Sequence, residues 1–207
     1  MSKIASHNSF SYLRPRKWWM RLIRFTGKCQ EVGIDHQYHL GVRMFDIRLR
    51  FDKLGIPILC HGIMEYEVED MYTDVFLTLF FNNMNKKGDC TCRIVLETKK
   101  PDKWQEKCFK VFCEYIEYRF TNITFVGGNN RTDWLCENPI YEFKAPFPKL
   151  VNTYASATSM WPNTTHFLRY VDDLYPKWYA KKHNTTNYLL GTPTNDHWLM
   201  LDFVNIK

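Results

Sequence analysis

Gly41-Val42-Arg43-Met44-Phe45-Asp46-Ile47-Arg48-Leu49-Arg50 changes chemistry with a period of two. Phe45, Ile47 and Leu49 form an apolar row, while Met44, Asp46, Arg48 and Arg50 fall on the opposite face, the pattern of a β-strand. Two residues apart on one strand face, the Asp46 carboxylate and the Arg48 guanidinium start about 7 Å apart. Burying such a pair is costly unless something uses it. Downstream, Ile56-Pro57-Ile58-Leu59-Cys60-His61-Gly62 reads as the next short strand, ending in a histidine and a glycine. Upstream, Ser6-His7-Asn8-Ser9 closes a first strand with another histidine. Two histidines flanking an Asp-x-Arg strand point to acid–base chemistry on an anionic substrate.

Outward from that strand, residues 30–40, 69–85 and 102–120 read as helices. In the second of these, Met71 to Phe81 is apolar and Asn82-Asn83-Met84-Asn85 reads as its closing turn. Strands are expected at 93–100, 123–126, 150–155, 166–173 and 198–203, and a short helix at 176–183. Several strands begin apolar and end charged, as barrel strands do when their C-terminal ends face a site. The alternation of strands and helices implies a parallel sheet. The expected fold is α/β, a small (β/α) TIM-type barrel. With 207 residues it is shorter than the usual ~250, so the barrel is expected to lack some helices or to be imperfect. No repeat or linker divides it, and one domain over 1–207 is expected.

Composition narrows the partners. Hydrophobic residues make up 45% and charged residues 24%, which argues against disorder. The net charge of +6 favours an anionic partner. Residues 14–28 contain Arg14, Arg16, Lys17, Trp18, Trp19, Arg21, Arg24 and Lys28 with no acid before Glu31. This suits either a segment lying on anionic lipid or a solvated basic helix with its tryptophans packed inward. Arg16, Lys17, Trp18 and Trp19 are the expected membrane contacts. No nucleic-acid motif accompanies the charge. No run of 18 apolar residues predicts a transmembrane helix, and no apolar leader precedes His7. The chain is expected to start in the cytoplasm or to be a mature form, with peripheral membrane contact or non-classical export. Seven cysteines read as reduced thiols.

Five ordered blocks resemble the catalytic domain of bacterial phosphatidylinositol-specific phospholipase C. They are Ser6-His7-Asn8-Ser9; Gln30, Ile34, Gln37 and Gly41 leading into Phe45-Asp46-Ile47-Arg48; His61-Gly62; Val171-Asp172-Asp173-Leu174-Tyr175; and Trp198 through Asp202. The resemblance implies a monomeric lyase that cleaves phosphatidylinositol, or its glycosylated form, to diacylglycerol and cyclic inositol phosphate. It implies His7 as base, oriented by Asp202, His61 as acid, and Arg48 with Asp46 at the phosphate. Lys99, Asp173, Tyr175 and Asn8 are then substrate contacts. The bacterial type works without metal or other cofactor. Here Arg48 and Lys99 occupy positions where the eukaryotic Ca²⁺ scheme uses acids, although Glu97 shares the Lys99 face. The family has Asp where this chain has Asn8, a change that weakens support for the general acid. Two alternatives stand beside this reading. One is a metal-dependent glycerophosphodiester phosphodiesterase; the other is a catalytically impaired lipid-binding domain of the same fold.

Overall fold

The computed structural model describes residues 3–152, 177, 180, 181, 184 and 197–206. In chain order the elements are β1 (Ile4–Ser6), β2 (Arg14–Pro15), α1 (Trp18–Leu22), α2 (Ile34–His39), β3 (Val42–Phe51), β4 (Pro57–His61) and β5 (Met64–Glu67). They continue with α3 (Thr73–Lys87), β6 (Thr91–Leu96), α4 (Lys103–Arg119), β7 (Thr124–Asn130), β8 (Lys149–Asn152) and β9 (His197–Leu201). Six strands run parallel in the order β7-β6-β3-β1-β9-β8. Crossover helices α2, α3 and α4 join β1 to β3, β3 to β6 and β6 to β7, so successive units sit side by side. The fold is α/β and is an imperfect barrel: among the described residues no pairing joins β7 to β8.

Strand parity separates two cores. Phe45, Ile47 and Leu49 of β3 and Cys92, Ile94 and Leu96 of β6 face the helices and join the large cluster with Phe80, Phe81 and Phe109. Phe80 sits edge-on to Phe10 at 5.1 Å and to Phe45 at 5.8 Å between ring centroids. Such pairs are each worth about 0.5–1.5 kcal/mol beyond their area. On the other face, Ala5, Met44, Val126 and Met200 pack together as an apolar floor inside the sheet.

Local chemistry sets several boundaries. The Asp102 side chain caps α4 by accepting from the Gln105 N–H at 2.8 Å. Gly88, at φ 73°, ends α3 in the left-handed region. At the β6–β7 bulge, a Cβ on Gly127 would fall 2.6 Å from the Ile94 carbonyl oxygen, so only glycine fits.

Four expectations are corrected. The helix expected over 69–85, with 82–85 as its closing turn, spans Thr73–Lys87 and stays helical through 82–85, because Phe81 and Met84 bury against the core and carry the apolar face another turn. The strand expected to reach Lys100 ends at Leu96; the Thr98 N–H turns back to the Leu96 carbonyl at 2.7 Å. The strand that carries His61 is no barrel strand. It pairs antiparallel with β3 and then with β5, forming a hairpin on the end of the long β3. The tryptophan-bearing segment is not one helix but the short β2, the short α1 and a 3-10 turn at Arg24–Thr26. The expected strand at 166–173 lies outside the described residues. The same holds for most of 176–183, of which 177, 180 and 181 are helical.

Candidate active site

Side chains reach the site through strand alternation. Ala5 of the inner floor is followed two residues later by His7, Met44 by Asp46 and Arg48, and Met200 by Asp202. The parallel register sets Asp46 beside Arg93, which therefore joins the same face. His7 and Asp202 emerge just past the C-terminal ends of β1 and β9, where barrel sites form, while Asp46, Arg48 and Arg93 point inward from within β3 and β6.

His7 Nδ1 lies 2.7 Å from Asp202 Oδ1, both side chains being buried. A carboxylate only accepts, so Nδ1 donates and the neutral ring presents Nε2 as its basic nitrogen. The backbone holds this dyad from both sides. The His7 N–H donates to the Leu201 carbonyl at 3.0 Å, and Gln30 Nε2 donates to the carbonyls of His7 and Leu201 at 3.1 and 2.9 Å. The His61 ring stands across the site, 5.3 Å from the His7 ring and nearly perpendicular to it. Burial, then the Arg48 charge, push the His61 imidazole down to about 3. Cys29 Sγ lies 3.9 Å from His61 Nδ1, and burial keeps it a thiol.

Below the imidazoles lies an ion network. Asp46 Oδ2 accepts from Arg48 Nε at 2.8 Å and from the Asn8 N–H at 3.0 Å, while Oδ1 accepts from Arg93 Nη1 at 3.1 Å. Burial alone would raise the Asp46 carboxyl, but Arg48, Arg93, His7 and the Asn8 N–H outweigh it and hold it well below the usual range. Glu97, also buried, lies 3.4 Å from both Arg48 Nη1 and Arg131 Nε, and it accepts from the Gly62 N–H at 2.9 Å. Its carboxyl is lowered as well: burial opposes ionisation, and Arg48, His61, Gly62 and Arg131 overcome that. Three guanidinium groups against two carboxylates leave this cluster one positive charge in excess, a suitable field for a phosphodiester. The Trp134 ring roofs it, 4.9 Å from the Arg48 guanidinium carbon and 4.3 Å from that of Arg93.

Asn8 has φ 41°, in the left-handed region that asparagine tolerates better than most residues. That turn aims its N–H at Asp46, and its side-chain amide donates to Tyr66 Oη at 3.5 Å.

The structure thus brings together His7, His61, Asp46, Arg48, Asp202 and Asn8. It does not bring in Lys99, which is exposed in the bend after β6, while Glu97 takes the inward position. Asp173 and Tyr175 lie outside the described residues. Sequence reading missed the roles of Arg93, Arg131, Trp134 and Cys29. Arg93 and Glu97 carried a signal, as charged residues of equal parity at the two ends of an apolar strand; the others carried none. Trp18 and Leu22 on α1 are 72% and 70% exposed, and Trp19, Arg16 and Lys17 are exposed beside them. The segment is tied to the His61 hairpin, for the Arg16 N–H donates to the Glu65 carbonyl at 2.8 Å and Lys17 Nζ lies 3.5 Å from the Glu65 carboxylate. Ile63, at the tip of that hairpin, is exposed too.

No family model matches the chain, and no curated protein matches it in sequence. Solved structures do. The phosphatidylinositol-specific phospholipase C of Listeria monocytogenes superposes with a TM-score of 0.61 at 15% identity, over 98% of this chain and 88% of that one. A double-mutant form of the Staphylococcus aureus enzyme gives 0.57 at 13% identity, over 98% and 85%. Another structure of the Staphylococcus aureus enzyme, concerned with its membrane binding, gives 0.53 at 14%, over 97% and 85%. The fold is therefore a barrel similar to that of the bacterial phosphatidylinositol-specific phospholipases C. No helix among the described residues is long and apolar enough to cross a membrane.

Proposed function

We propose that residues 1–207 form a single catalytic domain, a phosphatidylinositol-specific phospholipase C acting as a phosphoric diester lyase on phosphatidylinositol or its glycosylated form. The observation that carries this reading is the His7–Asp202 dyad facing His61 across a cationic floor. His7 takes the proton of the inositol 2-hydroxyl. The resulting alkoxide attacks phosphorus, the bond to the diacylglycerol oxygen breaks, and His61 protonates the leaving oxygen. The products are a cyclic inositol phosphate and diacylglycerol. Arg48, with Arg93 behind Asp46, offsets charge on the non-bridging phosphate oxygens. Asp173 and Tyr175 are proposed to hold the inositol ring, and Asn8 supports the floor through Asp46.

His61 is held neutral before substrate arrives, and a neutral imidazole cannot serve as an acid. The incoming phosphodiester anion supplies the charge that draws a proton onto it. The reading is metal-independent, because Asp46 and Glu97 are already engaged by guanidinium groups and do not offer the oxygen cage that a hard dication takes. Those pairs argue against the metal-dependent glycerophosphodiesterase alternative. The enzyme is proposed to work as a monomer at a membrane surface through Trp18, Trp19, Arg16 and Lys17, without nucleic acid.

A second reading, lipid binding without turnover, is favoured by the depressed His61 and by Asn8. Phosphatidylinositol vesicles incubated with the protein in excess chelator distinguish the two. Phosphorus NMR is expected to show a cyclic phosphate that His7→Ala abolishes. Vesicle binding with no product supports the second reading, and undiminished turnover by His7→Ala refutes the first.

A further inference from the structure

The backbone of Cys29 is pinned on both sides. Its N–H donates to Ser11 Oγ at 2.9 Å, and its carbonyl accepts from the Phe203 N–H at 2.6 Å, one residue beyond Asp202. The fully buried Sγ is thereby held at the two imidazoles. One ligand atom from each of His7, Cys29 and His61 lies within 4.8 Å of the other two. In a tetrahedral zinc site, bonds of about 2.3 Å to sulfur and 2.0–2.1 Å to nitrogen give sulfur–nitrogen edges of about 3.6 Å. The 3.9 Å between Cys29 Sγ and His61 Nδ1 is close to such an edge. Closing the widest permitted edge needs about 1 Å of ring movement, within the reach of small χ rotations. A further observation points the same way. Asp202 grips His7 through Nδ1, the carboxylate–histidine arrangement that orients metal-binding imidazoles.

We propose that His7, Cys29 and His61 form a binding site for a thiophilic divalent cation, Zn²⁺ in the first instance, with water or a phosphate oxygen as fourth ligand. Binding replaces the Cys29 S–H bond by a sulfur–zinc bond, and the proton leaves to buffer; nothing is oxidised or reduced. The thiolate offsets one of the two metal charges, and Asp202 and Asp46 lie close by to balance Arg48. This soft ligand set differs from the carboxylate cage a Ca²⁺ ion requires. An ion here would occupy both imidazoles and stop them moving protons. That inhibitory consequence rests on the proposed function; the site itself does not.

The test is calorimetric titration of Zn²⁺ into the full chain after dialysis against chelator, with zinc X-ray absorption on the loaded protein. One ion per chain is expected, with one sulfur at about 2.3 Å and two nitrogens at about 2.0 Å. Cys29→Ser should weaken binding more than about 100-fold, exceeding the 10–100-fold typical of losing an outer-shell partner, and should remove the sulfur. Absence of one-to-one binding, or a sulfur shell that persists in Cys29→Ser, overturns the proposal. Should that variant fail to fold, the wild-type spectrum decides: one sulfur with two nitrogens supports the site, and a sulfur-rich shell refutes it. None of these readouts uses turnover. A chain that takes Zn²⁺ but cleaves no inositol lipid supports the site and refutes the proposed function.

Discussion

Glu97 Oε1 accepts a hydrogen bond from the Gly62 N–H at 2.9 Å, tying the end of β6 to the turn that follows His61. The same carboxylate faces Arg48 and Arg131. The position of the second imidazole therefore depends on a buried charge 36 residues further along the chain. Removing one partner of a buried ion pair typically costs about 3–5 kcal/mol. Glu97→Ala is expected to lose that much in urea unfolding, and turnover with it, because the His61 turn is released. Glu97→Gln keeps an acceptor for Gly62 and should retain more of both. Equal stability of Glu97→Ala and the parent would show that the network is not holding the turn.

Asp202 sets the tautomer of His7. Asp202→Asn preserves size but offers an amide that can donate to Nδ1, placing the ring proton on Nε2. A loss of kcat of roughly 10²–10⁴-fold is expected, the range general-base catalysis spans, with little change in KM. An effect confined to KM would place Asp202 in binding instead.

His61 makes a pH signature. Its folded value of about 3 lies below its ordinary 6.5. Above pH 6.5 both states are neutral there and it contributes no pH dependence. As pH falls below 6.5 the unfolded chain takes up the proton first, so stability declines, and the decline stops growing near pH 3. Asp46 and Glu97 are shifted down too, and they add losses only below the ordinary carboxylate values of 3.8 and 4.5. The window from pH 6.5 to 4.5 therefore separates the His61 contribution from those of Asp46 and Glu97. Urea unfolding across it should show stability falling with acid, and His61→Gln should flatten the slope. Identical slopes would contradict a half-buried His61 imidazole held neutral by its surroundings.

Trp134 covers two guanidinium groups at once. Trp134→Ala is expected to cost about 1–2 kcal/mol, the scale of partly desolvated cation–π contacts, and to loosen the phosphate floor. Differential scanning calorimetry measures the first, and the affinity for inositol phosphate the second.

At the proposed membrane face, Arg16 contributes about 1 kcal/mol of attraction to an anionic surface, and Trp18 and Leu22 contribute apolar area. Arg16→Glu should weaken sedimentation with anionic vesicles at least fivefold and leave neutral vesicles nearly unaffected. Trp18→Ala combined with Leu22→Ala should weaken both. Unchanged partitioning in all variants would remove the membrane role from this segment.

Reading the chain alone identified what depends on local periodicity. The two-residue alternation of 42–51 marked the central strand and placed Asp46 and Arg48 on one face, because side-chain direction in a strand is set by parity. His7, His61 and Asp202 were legible as polar residues at or beside the ends of apolar runs, while their roles followed only from the resemblance to the bacterial phospholipases. What parity cannot supply is register between strands. Arg93 meets Asp46 only because β6 pairs with β3 in one alignment, and Glu97 rather than Lys99 turns inward only because β6 stops at Leu96. Trp134, Arg131 and Cys29 come from loops whose paths are decided by packing against distant strands. Their partners lie too far along the chain for any local pattern to record. The antiparallel hairpin carrying His61 was likewise hidden, since a short apolar run reads the same in either direction until its neighbour is known.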